Sequence, residues 1–582
     1  MSLALLCGCV DDSYDLSDID TTTEIKVNDL TVPINLKSIT LDNIIDVDED
    51  DPDATVKYVI VGDQRYFAIE KHGDFHADVP EVARVKAAAP GRVKTIVEEL
   101  TAIGTAHSAR RAAGEGVRFA IHEDHTDFTY RVGDKEGERV DEAIRTIQAV
   151  EMDSEKLRIT VRLAVPDVAV GRMEFSNLRF RLPEGMDAEC PQGSVSGDIL
   201  TVPSLVSDGS TATLELTAGR LDFRPQYGAD GIVVENRRFD YTSDLYIMDG
   251  ELRVYPAVQS SATIPQSIRF TVDYDMSAFT VDRFSGLVDY NSDAVSIDPV
   301  NLTDLPDFLE GDDTNLIMSN PQLLLTTDNP VGEYRLGCTA GLTITSVKGD
   351  SERGRQTLPG GFTVGYDRGK GPYNILMAPH PDNAVNVPSG SDLYTFPGLG
   401  HILEGAGLPD QLRIEVAGDG LSAPRIHGYA DGLPLGTPLG DVEGKYTFLT
   451  LLALDDGSRI VYEKREDGWS SEDLEAVNIT SFTVTAEATT DVPCAISLWA
   501  RPLSTDGSDI PLENPEEATA EIGPMAKGQA FSITMKGDIR HLDGIHFIAT
   551  ARSFDGKPLR PDQYIRLDNI RATVSGTYTK EL

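Results

Sequence analysis

Ten histidines, five cysteines and 95 acidic side chains set the range of chemistry open to this chain of 582 residues. His122-Glu123-Asp124-His125 has the residue types of a zinc-protease helix, where two imidazoles one turn apart hold the metal and a glutamate acts as base. Its histidines are three apart rather than four, and the preceding Val117, Phe119 and Ile121 alternate as a strand. It reads as an exposed cluster. His72 and His76 stand four apart, but Gly73 and Pro80 argue against a helix there. Gly365 to Gly371 is one residue short of a phosphate-cradling loop and has Gly371 where a Ser or Thr hydroxyl must reach magnesium. In Gly193-Ser194-Val195-Ser196-Gly197 the serines take the second and fourth places of a nucleophile elbow instead of the third. Asp46, Asp48 and Asp50 start like a calcium loop, yet Asp51 and Lys57 occupy the places of its glycine and glutamate. No catalytic residue, cofactor or metal ligand is assigned from these patterns. The residue that points to binding is Trp499. In CAISLWARPL the apolar face is Cys494, Ile496, Leu498 and Ala500, so Trp499 looks the other way beside Ser497 and Arg501, where an indole can stack on a sugar ring or anchor a protein contact. Trp469 precedes a predicted helix capped by Ser470 or Ser471.

Two of the five cysteines, Cys7 and Cys9, stand almost side by side at the start. Leu6-Cys7-Gly8-Cys9 resembles a lipobox, with Gly8 at the cleavage position and Cys9 as the acylated residue. Met1 to Leu6 carries no Lys or Arg and is shorter than the apolar stretch of about 7 to 15 residues usual in a signal peptide. Val10-Asp11-Asp12 and Asp15 follow at once, which resembles the acidic signal of surface-exposed lipoproteins of the Bacteroidota. That resemblance implies an outer-membrane protein anchored by lipid alone and facing the cell exterior. Asp20-Thr21-Thr22 is similar to the O-glycosylation acceptor of the same phylum, with Thr21 as the modified residue. The remaining Cys190, Cys338 and Cys494 are far apart in sequence and form no CxxC pair, so they are expected to be small buried residues, with room for one disulfide.

The elements that must position these residues are strands. Leu157 to Val165 and Ile268 to Met276 alternate apolar and polar side chains, the pattern of antiparallel sheets with one buried face. The same period runs through Phe482 to Ala488, Cys494 to Ala500 and Ile570 to Tyr578, while Asp456-Gly457, Asp506-Gly507 and Asp555-Gly556 signal turns. EIKVNDLTVPINL, from Glu24, suits an edge strand because of its Pro33. One segment has a helical period: Val93, Ile96, Val97, Leu100 and Ile103 share a helix face, with Gly104 to end it. The expected fold is mostly β, several immunoglobulin- or fibronectin-like β-sandwich modules in series with a few short helices. The expected divisions are a residual signal at 1–8, an acidic tether at 9–23, a β-rich domain at 24–155 with one helix, and sandwich modules at 156–260, 261–405 and 406–582.

The formal net charge is −44, from 51 basic and 95 acidic residues. Such a field repels phosphate backbones and anionic headgroups, so nucleic acid is excluded as a partner and a cationic or neutral macromolecule is favoured. The sequence leads to a non-catalytic surface lipoprotein that binds a macromolecule or has a structural role. The alternative is a glycan-binding, or glycan- or peptide-hydrolysing, lipoprotein of a nutrient-uptake system.

Overall fold

The structure is a computed structural model that describes residues 22–581 apart from 34–38, 46, 50, 52–53, 91–94, 104–115, 124, 136–137, 258–263, 304–305, 307–308, 310, 417–422 and 469–476. The chain is mostly β, and its strands build three layered pairs of sheets, as the period of two requires. In the first pair a ten-stranded sheet includes Leu157–Ala164, Thr211–Asp222 and Ser267–Met276, and a five-stranded sheet centres on Val170–Arg181. Leu157, Ile159, Val161 and Leu163 from one sheet meet Phe175, Phe180, Val202 and Leu252 from the other in one buried core. Each of these residues is the apolar partner in an alternating strand, so burying one face of each sheet places Arg158 and Arg162 in solvent.

The second pair sets a seven-stranded sheet, built on Gln64–Asp78, Asp441–Leu451, Gln322–Thr327 and Tyr373–Ala378, against a four-stranded sheet built on Thr343–Lys348 and Gln411–Glu415. Its core joins Phe67, Leu323, Phe448 and Ile375 to Ile344 and Leu412. The third pair sets Val477–Thr490, Gln529–Ile539 and Tyr564–Glu581 against Ile460–Glu466, Leu542–Arg552, Ala495–Ser504 and Thr519–Ile522. Phe482, Ile533, Met535 and Ala572 pack there on Ala500, Ala520 and Ile545.

These modules are nested along the chain. Strand Thr22–Pro33 is an edge strand of the third pair, where it joins Tyr564–Glu581; strands Val56–Val61 and Gln64–Asp78 belong to the second; residues 85–291 then supply most of the first. Strand pairing therefore crosses the divisions drawn at 155/156, 260/261 and 405/406. Ala149–Glu151 bonds to both Thr211–Asp222 and Arg283–Asn291, and Gly337–Ala340 bonds to Arg425–Pro434. Among the described residues, helix is limited to short turns such as Arg224–Tyr227.

The helix expected over 93–103 is not formed. Ile96–Thr101 is a strand paired with Ser267–Met276, while Val93 and Gly104 lie outside the described residues. Ile96 and Leu100 are 6% and 3% exposed, whereas Val97 and Ile103 are 50% and 53% exposed. A spacing of four is common to both periods, so Ile96 and Leu100 fit either element, and the β-branched side chains of the segment favour the pleated one. The expected turns are present: Gly457, Gly507 and Gly556 all take the left-handed conformation that a β-carbon disfavours.

Where the large sheet passes from the first pair of layers to the second, Arg283–Asn291 pairs with Arg425–Pro434 and a two-pronged ion pair crosses the seam. Arg425 donates from Nε and Nη2 to the two carboxylate oxygens of Asp289, both at 2.6 Å. These bonds, aided by the charges of Arg425 and Arg145, hold the Asp289 carboxyl below the usual carboxylate range against the opposing pull of partial burial. A depressed folded value means that the stabilisation is complete above the unfolded carboxylate value of about 3.9 and is lost as pH falls through the folded value. Arg425 is half exposed, so solvent screening keeps the effect small. Urea unfolding between neutral pH and pH 3 should show a steeper acid-side loss in the native chain than in Arg425→Gln; equal slopes would remove the pair from the account.

Candidate functional site

The outward face of the seven-stranded sheet carries rows of polar side chains that the register brings together. Antiparallel partners share a face, so the pairing of Gln64–Asp78 with Asp441–Leu451 sets Asp78 opposite Asp441, His76 opposite Glu443 and Asp74 opposite Lys445. Ser296 lies beside His76 on the edge strand, and Thr326 lies beyond Lys445. The His76–Glu443 and Asp74–Lys445 rows, with Ser296 and Thr326, line a cleft of about 500 Å³ that also takes in Asp298 and Asp328. Its walls hold Asp74, Asp298, Asp328 and Glu443 against a single lysine, Lys445, so it favours cationic groups. His76 Nε2 stands 3.0 Å from Asp78 Oδ1, and one ligand atom each from His76, Asp78 and Asp441 lies within 4.8 Å of the other two.

The inward face beneath explains how two strands with glycines stay flat and close. The Phe75 ring lies over Gly444 and the Tyr446 ring over Gly73, in cross-strand pairs where a β-carbon on either glycine would fall inside the facing ring. Tyr446 is fully buried, which pushes its hydroxyl up to about 12. Behind this sheet an apolar cavity of about 60 Å³ is bounded by Phe75, Leu325, Cys338 and Ile426. It has room for about two methylene groups, well below the few hundred Å³ of an organic-ligand pocket.

Trp499 lies on strand Ala495–Ser504, where Ile496 and Ala500 are buried and Trp499 is half-buried on the opposite face. Its ring is not an open platform. The Arg501 guanidinium carbon sits 4.4 Å from the indole centroid, and the His546 imidazole meets the indole edge-on at 5.8 Å. His546 is opposite Arg501 in the register and 5% exposed. Its Nδ1 is 3.0 Å from Asp509 Oδ1, while Nε2 is 3.6 Å from Glu463 Oε2 and makes no hydrogen bond. Alternation along CAISLWARPL reveals the outward direction of Trp499. It cannot reveal His546, which arrives from another strand by register.

The remaining sequence candidates stay apart. His122, Glu123 and His125 are exposed beyond strand Val117–Ile121, His125 pairs with Glu123 at 2.9 Å and packs on Tyr246, and Asp124 lies outside the described residues. Gly365 to Gly371 forms a turn, and Ser194–Ser196 is a short strand of a hairpin. Cys9, Thr21 and Trp469, with Cys7, Asp46 and Asp50, lie outside the described residues. Cys190, Cys338 and Cys494 are free thiols, and burial raises all three, Cys338 and Cys494 to about 12, so none is a ready nucleophile. Five carboxyls, those of Asp222, Asp249, Asp282, Asp289 and Asp506, are displaced downward from their ordinary values. Hydrogen bonds from Arg224, Arg179 and Arg425 lower Asp222, Asp249 and Asp289; at Asp282 partial burial is outweighed by donors of Ser154 and Asp153, and at Asp506 the Ser508 hydroxyl and backbone N–H act. His76, Asp78 and Asp441 were missed as a group in the sequence. His76 with Asp78, and Asp441 with Glu443, are polar i, i+2 pairs on alternating strands, but nothing local says that those strands are neighbours.

No family model matches the sequence, and no curated protein is significantly similar to it. Among solved structures, a "putative secreted protein" from Parabacteroides distasonis is similar over 50% of this chain and 89% of its own, at 15% identity and a TM-score of 0.35. N-glycanase F (PNGase F) overlaps 61% of this chain and 99% of its own, at 11% identity and a TM-score of 0.13. At these scores neither likeness carries over to the fold or activity of this chain. Among the described residues no helix is long and apolar enough to cross a membrane.

Proposed function

We propose that this chain is a lipid-anchored surface protein, acylated on Cys9 and held at the outer membrane facing the cell exterior, that binds a macromolecular partner through its sandwich faces without catalysing a reaction. The observation that carries the non-catalytic part is the direction of the displaced carboxyls. A general acid working near neutral pH needs a carboxyl raised by burial or by a like charge, whereas Asp222, Asp249, Asp282, Asp289 and Asp506 are lowered by structural hydrogen bonds. The acids of the cleft are exposed, an arrangement suited to attracting a cationic or neutral polypeptide or glycan and to repelling nucleic acid. The anchor and the O-glycan on Thr21 rest on the lipobox-like Leu6 to Cys9, the acidic residues after it and Asp20-Thr21-Thr22.

The anchoring is tested in a Bacteroidota host expressing the full open reading frame, by labelling with an alkynyl fatty acid and treating intact cells with protease. Label on the chain, its loss in Cys9→Ser, and digestion of the protein on intact cells are expected. Label that persists in Cys9→Ser, or a protein protected until cells are lysed, would overturn the proposal.

A further inference from the structure

We propose that His76, Asp78 and Asp441 hold a divalent transition-metal ion at the rim of the acidic cleft. Three observations converge on that spot. The ligand atoms are clustered: one from each residue lies within 4.8 Å of the other two, and His76 Nε2 and Asp78 Oδ1 are 3.0 Å apart. That 3.0 Å contact is a hydrogen bond between the two side chains, and it is also the spacing of two ligands at right angles on a metal with bonds of about 2.1 Å. The register is electrostatically unfavourable without a cation, because Asp78 and Asp441 are directly opposed on one face, and like charges so placed destabilise a sheet. The next rows are arranged differently, with His76 opposite Glu443 and Asp74 opposite Lys445. The third observation is the cleft itself. It shares His76 with the cluster, and its Asp74, Asp298, Asp328 and Glu443 concentrate cations there while Lys445 is the only basic residue of its wall besides His76.

The donor set selects the metal. One imidazole with two carboxylates suits zinc, cobalt, nickel or manganese, whereas calcium and magnesium prefer all-oxygen shells. The ligands come from two strands paired continuously from Asp441–Asp78 to Leu451–Ala68, so they stand on a rigid support. Three protein ligands leave at least one coordination position toward the cleft, open to water or to a carboxylate or imidazole of a partner. The proposal does not depend on the lipid anchor and fails or stands separately from it.

The test uses the full chain with Zn²⁺ for calorimetry and Co²⁺ for visible absorption. One equivalent should bind with a dissociation constant in the micromolar range, with a Co²⁺ spectrum of mixed nitrogen and oxygen ligands. His76→Ala and Asp441→Asn should each weaken binding by about tenfold or more. Both side chains are exposed, so metal-free thermal unfolding should change little in His76→Ala and rise slightly in Asp441→Asn, which relieves the repulsion from Asp78. His401→Ala, which removes another exposed histidine beside a carboxylate, should bind like the native chain. Binding that does not saturate below millimolar metal, or that is equal in His76→Ala, Asp441→Asn and the native chain, would overturn the site.

Discussion

A chain that stops at Gln563 should lose the C-terminal sandwich while keeping the other two. The missing strand, Tyr564–Glu581, is internal to its sheet: Thr22–Pro33 bonds along one side, Val477–Thr490 along the other, and Ile39–Thr40 pairs near its start. Without it the first strand has no partner in the sheet and Val477–Thr490 has an open edge. Ile570 and Ala572 also leave the core. A domain is held by only about 5–15 kcal/mol in total, so losing a central strand exceeds the margin. Limited proteolysis followed by mass spectrometry should show new cleavage throughout 477–563 while 116–451 resists at its native rate. Continued protection of 477–563 would mean that the sheet closes without its last strand.

The second large effect is expected at the glycine–aromatic pairs under the acidic cleft. Gly444→Val should destabilise the second sandwich by about 2–3 kcal/mol, because the new side chain occupies the space of the Phe75 ring and the strands must part or the ring must swing out. Ordinary strand propensity predicts the opposite sign, since valine is favoured over glycine in a strand. The sign of the change in urea midpoint therefore decides the matter: a rise or no shift would show that Phe75 does not cover Gly444. Gly73→Val, beneath Tyr446, should behave in the same way, with a larger loss because Tyr446 is fully buried.

The strands were legible where one face is wet. Leu157 to Val165 and Ile268 to Met276 announce themselves because polar side chains interrupt the apolar ones at every second place. The segment around Ile96 misleads because Val97 and Ile103 are apolar yet exposed, which completes a helical stripe that the fold does not bury. The nesting was not legible. Pairing Thr22–Pro33 with Tyr564–Glu581 is decided by surfaces far apart in the chain, and a strand's own sequence does not name its neighbour. The candidate sites follow the same division. Trp499 was placed on the correct face by alternation, whereas its cover by Arg501 and His546, and the meeting of His76 with Asp441, depend on register.

The nested order also dictates when each part of the molecule can form. A chain emerging from its amino end releases Thr22–Pro33 long before Tyr564–Glu581, the strand with which it pairs. Closure over so long a span would be slow if the intervening chain were still a coil, though loop entropy grows only with the logarithm of length. Here the intervening residues are not a coil by then: 85–291 can condense as soon as most of the first sandwich has been made, and 296–451 can then complete the second around Gln64–Asp78. Each inner module draws together the ends of the chain outside it and shortens the effective loop for the next. The molecule is thus assembled from the inside of its sequence outward, and Thr22–Pro33 and Tyr564–Glu581 are joined last.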